Sequence, residues 1–243
     1  MLIDVYKDPE LYEAIYTNKN DDFPFYAHWA KKSGPNVLEL ACGTGRLAAP
    51  LIQAGYNYTG LDISAEFIDW CRARFRNNSA FVIGDMRNFD LNQKYNLIFI
   101  GFNAFLHLET EKQALECLHS VQKHLAPQGR FLLDIFVPQT EFLYREKRRY
   151  RVKFINHPRN GKCTIFEKNF YDDQTEINHI QWFFEEEQGE KIEQYNFNMR
   201  MYFPDTMDRI LHNSEFFIEE KWGNYDGLPI DSNSHLQLYV CTV

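Results

Sequence analysis

Three acidic residues stand in similar surroundings along the chain: Glu39 in VLELACGTG, Asp62 in GLDIS and Asp85 in GDM. Gly43 and Gly45 follow the apolar residues Val37, Leu38 and Leu40, and a helical pattern through Leu47, Ala48 and Leu51 begins directly after them. That order predicts a buried strand, a tight turn and a crossing helix. Glycines let the backbone turn and approach a ligand, and the helix start offers N–H groups to it. Ala48 completes a G-x-G-x-x-A pattern, and Asp62 lies at about the distance expected of an acid that binds ribose hydroxyls. These features alone fit a nicotinamide dinucleotide as well as any other ligand, so an NAD(P)-dependent oxidoreductase stands as one reading. Glu39 is the unusual member. An unpaired charge inside an apolar strand is costly, which implies a task at the strand's carboxyl end.

The elements needed to position these acids can be read in order. Asp8-Pro9-Glu10 starts a helix carrying Leu11, Ile15, Tyr12 and Tyr16, and a second helix runs from Asp22 to Ser33 before Gly34-Pro35. The glycine strand follows, and Pro50 inside its helix predicts a kink. Strands are predicted at 58–61, 80–83, 97–102 and 131–137, with Pro127-Gln128-Gly129 as a turn. Thr110 and Gln113 form a capping box between the last two strands. Nearly continuous apolar strands alternating with helices give a parallel α/β sheet. Between Tyr150 and Phe203 the helical signal stops and aromatic and β-branched residues alternate with charges. Asp172-Asp173-Gln174 and Gln188-Gly189-Glu190 read as hairpin turns within an antiparallel sheet of three or four strands. A short helix (205–212) and two strands (216–222 and 236–243) close the chain.

Composition narrows the class. With 44% hydrophobic and 16% aromatic residues, the 243-residue chain can fill a substantial core. A net charge of −8 argues against a broad phosphate-binding face, so no nucleic-acid partner is expected. No apolar run reaches about 18 residues, so no membrane span is expected. Met1-Leu2-Ile3-Asp4 lacks the parts of a signal peptide, and the five cysteines form no C-x-x-C pair, which together point to the cytoplasm. The eight histidines show no ligand spacing, so no metal is expected.

Taken together, the motifs resemble class I S-adenosylmethionine-dependent methyltransferases of the small-molecule type. VLELACGTG matches the glycine motif, GLDIS the ribose acid and GDMRNFDL the adenine-side motif, while FNAFLHL and HLAPQGRFLLDIF match the segments around strands four and five. The resemblance covers about residues 8–137 and 216–243, with Ala41 standing where many members carry glycine. It implies a Rossmann-like doubly wound sheet of five parallel strands plus a terminal antiparallel pair. The core would span 1–144 and 205–243, with an inserted antiparallel β-sheet at 145–204.

The resemblance also implies roles. Asp62 would accept from both ribose hydroxyls, with Ile63 beside it, and Asp85 would accept from the adenine amine, with Met86 on the ring. Ala41, Gly43 and Gly45 would form the loop, with Glu39 near the methionine amino group and Asn103 near the sulfonium. Tyr16 and Tyr26 would lie on a lid, and His107 would be the general base if one is needed. S-adenosylmethionine would be the cofactor and S-adenosylhomocysteine its product. No Asn-Pro-Pro-Tyr or Asp-Pro-Pro-Tyr motif follows strand four, which disfavours DNA bases as acceptors. A small molecule is expected, with an amine favoured by a distant likeness to amino-sugar N-methyltransferases. The insert would cover the acceptor side and offer a homodimer surface. Its basic run (Arg145, Lys147, Arg148, Arg149, Arg151, Lys153) reads first as a solvated strand edge and second as a site for an anionic acceptor. A non-catalytic module that binds the same cofactor is the second rival.

Overall fold

The computed structural model describes residues 1–17, 19–75, 79–187 and 191–243. Its centre is a seven-stranded sheet of β1 (Asn36–Leu40), β2 (Asn57–Asp62), β3 (Ser79–Ile83), β4 (Tyr95–Ile100), β5 (Leu125–Phe136), β10 (Phe217–Trp222) and β11 (Leu236–Thr242). The order is β10-β11-β5-β4-β1-β2-β3. β1 to β5 pair parallel, and β11 joins β5 antiparallel, as β10 does β11. β1 sits between β2 and β4, where the strand order reverses. Ligands of open α/β sheets bind outside the carboxyl ends at this switch point.

Alternation along the strands divides the core in two. One face carries Leu38, Leu40, Ile98, Ile100 and Leu133 against α5 (Glu111–His124) and α7 (Pro204–Asn213). The other carries Val37, Leu97, Phe99 and Leu132 against α2 (Phe23–Ser33), α3 (Ala48–Gln53) and α4 (Ala65–Arg74). The capping box forms as read: Thr110 Oγ1 accepts from the Gln113 N–H, and Gln113 accepts from the Thr110 N–H.

The second sheet is four-stranded and antiparallel, in the order β6 (Tyr150–His157), β7 (Gly161–Asp172), β8 (Ile177–Glu186), β9 (Lys191–Arg200). Its inner face packs Ile155, Ile165, Ile180, Trp182 and Phe184 against Leu11 and Ile15 of α1 (Pro9–Tyr16). Thus α1 lies along the insert, and a 3-10 turn, Val5–Lys7, precedes it. A short helix, α6 (Thr140–Leu143), leads from β5 toward the insert; the sequence reading had not anticipated it.

Two local expectations change. Pro50 is the third residue of α3, within the first turn, where the N–H has no intrahelical partner to lose, so no kink arises. Pro127-Gln128-Gly129 does not end an element but bulges within β5. Tyr95 pairs Leu125 and Leu97 pairs Arg130, with Gln128 at φ 62°. Asp172 Oδ1 accepts from the Gln174 N–H at 2.9 Å, as the first hairpin turn requires. The second expected turn, 188–190, lies outside the described residues.

Candidate active site

At the carboxyl ends of β1, β2 and β4 lie two adjoining cavities of about 490 and 320 Å³ that share Ala41, Asp62, Ile63, Met86 and His107 as walls. Of these two, the 490 Å³ space is the larger cavity; a separate space of about 640 Å³ lies between α1 and the insert, lined by Glu13, Lys153, Phe154 and Lys162. None of the strand-end acids reaches it, so the chemistry belongs to the first two.

Asp62 ends β2 and is buried. Its Oδ2 accepts from the Gly43 N–H at 2.8 Å and its Oδ1 from the Ser64 N–H at 2.9 Å. Burial pushes its carboxyl up, against the pull of those backbone donors. A carboxylate has about four acceptor sites, so acceptor capacity remains for a donor in the cleft. Gly43 and Ala41 both lie at φ 56° and line the larger cavity. Ala41 accepts the left-handed backbone that glycine would take without strain.

Gly45, at φ 78°, is turned to packing instead, because a Cβ there would meet Phe75 at 2.9 Å and Cys71 at 3.1 Å. Phe102 and Asn103 are also left-handed, at 52° and 66°. Asn103 is held there by the Phe136 N–H, which donates to its Oδ1 at 2.7 Å. Met86 and Ile63 line both cavities, and Ile63 is an exposed apolar side chain at the rim. Asp85 lines the smaller cavity, where Arg87 Nε donates to both of its oxygens at 3.0 and 2.9 Å.

Like Gly45, two further residues read from the sequence as cofactor contacts line neither cavity. Alternation puts Glu39 on the Val37 face of β1, where it accepts from the Tyr58 hydroxyl. Burial pushes its carboxyl up to about 8. Tyr26 is on the buried face of α2 with Phe25, Trp29 and Ala30. Its ring lies against Phe99 at 4.6 Å, and its hydroxyl donates to Asp134 at 2.9 Å. Tyr16 does reach the larger cavity.

Glu39 yields a stability test. Between an ordinary Glu pKa and about 8, the folded chain holds a proton that the unfolded chain releases, so stability falls as pH rises through that window. Glu39→Gln keeps an acceptor for Tyr58 without a charge. Its melting temperature should match the wild type near pH 5 and exceed it by several degrees near pH 9. Parallel melting curves across that range would refute the assignment.

His107 lines both cavities, from a 3-10 turn after β4 (Ala104–His107), and burial lowers its pKa. Its Nε2 is 2.8 Å from the Tyr6 hydroxyl. Tyr6 is held over the cleft because the Ser64 hydroxyl donates to its carbonyl at 2.6 Å. The sequence reading missed Tyr6. It also missed Tyr12, Phe67, Phe142, Glu167, Phe197 and Met199 as cavity residues, and took Trp182 mainly for core. The signal for Glu167 was available: a charge at an inward position of an alternating strand, as with Glu39 in β1.

Residues 37–129 match the family described as "Methyltransferase domain". Residues 37–129 thus carry a methyltransferase domain. The chain is 26% identical over 132 residues to a protein described as "Putative methyltransferase YqeM" of Bacillus subtilis, covering 51% of this chain and 53% of that one. A dTDP-3-amino-3,6-dideoxy-alpha-D-glucopyranose N,N-dimethyltransferase of Streptomyces fradiae is 28% identical over 133 residues, 51% of each chain. The chain thus spans about half the length of the curated relatives it matches. The solved CcbJ methyltransferase of Streptomyces caelestis superposes with a TM-score of 0.81 over 99% of both chains at 19% identity, a likeness of fold.

The site's own chemistry fits this family's cofactor. The paired cavities run from Asp62 to Met86 and Asp85 on one side and to Asn103 and the tyrosines on the other. Among the described residues, no helix of this methyltransferase domain or the rest of the chain is long and apolar enough to cross a membrane.

Proposed function

We propose that the chain methylates an amine of a small molecule. The observation that carries this reading is the larger cavity, which joins the Asp62 end of the cleft to the Tyr6–His107 pair beneath an aromatic wall of the inserted sheet. When bound, S-adenosylmethionine supplies a methyl group already activated on sulfur. The chain's residues then need only to align the acceptor, exclude water and accept a proton. Alignment of this kind can be worth roughly 7–11 kcal/mol in well-oriented systems. Asp62 holds the ribose hydroxyls; Met86 and Ile63 flank the adenine, and Asp85 accepts from its amine beside Arg87. Asn103 and Tyr16 bound the reacting end.

An amine attacks through its lone pair, so its ammonium form must lose a proton. Burial keeps His107 in the neutral form that can take one, and the Tyr6 hydroxyl on its Nε2 extends its reach toward the acceptor. The Streptomyces fradiae relative, by its description an N,N-dimethyltransferase of an amino sugar, supports an amine over a hydroxyl acceptor. His107→Ala should lower kcat by about 10²-fold with S-adenosylhomocysteine affinity unchanged. Unchanged turnover with chemistry rate-limiting would remove His107 from proton transfer.

The reading itself is tested by screening amines for S-adenosylhomocysteine release. Binding of the cofactor without turnover across a broad panel would favour a non-catalytic module. The same reading includes a homodimer through the insert, whose strands β6 and β7 expose Val152, Phe154 and Phe170. Light scattering should give twice the chain mass, and a monomer would refute this part.

A further inference from the structure

We propose that Glu167, on the inserted sheet, is the residue that selects the acceptor, and that it selects a cationic amine. The inference rests on the methyl-transfer reading and specifies its substrate class. Among the described residues, the larger cavity is lined by two carboxylates, Asp62 and Glu167, and by no lysine or arginine. Asp62 is committed to the glycine loop and the ribose end. Glu167 stands on β7 at an inward position between Ile165 and Asn169, all three buried.

A buried carboxylate survives only with partners. Arg145 Nη2 donates to Glu167 Oε1 at 2.5 Å, and Trp182 Nε1 donates to Oε2 at 2.7 Å. Arg145 does not line the cavity. Its guanidinium also donates to Asn169 and lies over the rings of Phe142 and Tyr150, at 4.8 and 4.4 Å. The pair is therefore asymmetric. Arg145 pairs with the carboxylate from outside, and only the carboxylate meets the cavity. Each oxygen keeps a second acceptor site after its one protein donor.

The surroundings suit a cation. Tyr16, Phe142, Trp182 and Phe197 line the same cavity, and aromatic faces attract ammonium groups, most strongly when water is excluded. An anionic acceptor would meet two carboxylates and no counter-charge. The basic run before β6 does not supply one: Arg149 pairs with Glu185, and Arg148 with Glu146.

The test separates recognition from turnover by using two probes that cannot be N-methylated: choline and its neutral carbon isostere, 3,3-dimethyl-1-butanol. Each is titrated into the full chain saturated with S-adenosylhomocysteine. Choline should bind about tenfold or more tightly than the isostere, and Glu167→Gln should abolish that preference while S-adenosylhomocysteine affinity stays unchanged. Equal binding of the two probes to the wild type, no binding of either, or an undiminished preference in Glu167→Gln would overturn the assignment. Should the variant lose S-adenosylhomocysteine binding through misfolding, the wild-type comparison still decides. Failure of the wild type to bind S-adenosylhomocysteine would sink the methyl-transfer reading itself, a distinct outcome.

Discussion

Asp62→Ala is expected to weaken S-adenosylhomocysteine binding by about 10²–10⁴-fold while the chain still folds. Two hydroxyl donors to a charged acceptor contribute roughly 1.5–3 kcal/mol each, which together give that range. The same carboxylate fixes the glycine loop through the Gly43 N–H at 2.8 Å and the next helix through the Ser64 N–H at 2.9 Å. Asp62→Asn should be nearly as damaging. Whichever way the amide is turned, its NH₂ faces either Gly43 or Ser64, a donor against a donor. Asp85 offers the contrast, since it is partly exposed and tied to Arg87. Its contact replaces water at a wetter site, so Asp85→Ala should cost only about tenfold or less. Calorimetric titration with S-adenosylhomocysteine, alongside a thermal melt, checks all three. An Asp62→Ala affinity within about threefold of wild type would show that the ribose end is held elsewhere.

That contrast also shows what the sequence could and could not convey. Strand ends were legible because parallel strands buried on both faces read as apolar runs, and an acid directly after such a run has few structural reasons to be there. Asp62, Asp85 and Gly43, all of which line the cavities, stand out in this way. Side-chain direction was not legible to the same degree. Glu39 and Ala41 are two residues apart, yet Glu39 turns to Tyr58 while Ala41, at φ 56°, has left the strand and lines the cleft.

Tyr16 and Tyr26 both belong to N-terminal helices. Only packing against Phe99 and Asp134 distinguishes the second as a core residue. The acceptor wall was least legible. Tyr6, Glu167, Trp182 and Phe197 are far apart in sequence, and they meet because α1 and the 3-10 turn before it fold onto the insert. Alternation alone gives the inward face of such a sheet but does not say whether that face meets core or cavity.

The N-terminal segment that brings Tyr6, Tyr12 and Tyr16 over the cleft is fastened at one point by a buried ion pair. Arg46→Met should break it, at a cost of about 3–5 kcal/mol. Asp22 is fully buried, and both of its oxygens are taken by Arg46, Nη1 to Oδ1 and Nη2 to Oδ2, each at 2.7 Å. Arg46 also donates to the Lys19 carbonyl at 3.1 Å and lies over the rings of Phe23 and Phe102, each at 5.4 Å. It stands directly after Gly45, so the pair ties the start of α2 to the glycine turn that follows β1.

Removing the cation strands a carboxylate in the interior. At roughly 2–4 °C per kcal/mol for a chain of this size, the melting temperature should fall by about 6–20 °C. Asp22→Asn together with Arg46→Met removes both charges and should recover much of that loss, because the penalty comes from the unpaired ion more than from the missing bond. S-adenosylhomocysteine affinity should follow the same order: lowest in Arg46→Met and partly restored in the double variant. A single variant that melts within about 3 °C of wild type would mean the pair contributes little. The packing of Leu11 and Ile15 on the inserted sheet would then be what holds the tyrosines over the cleft.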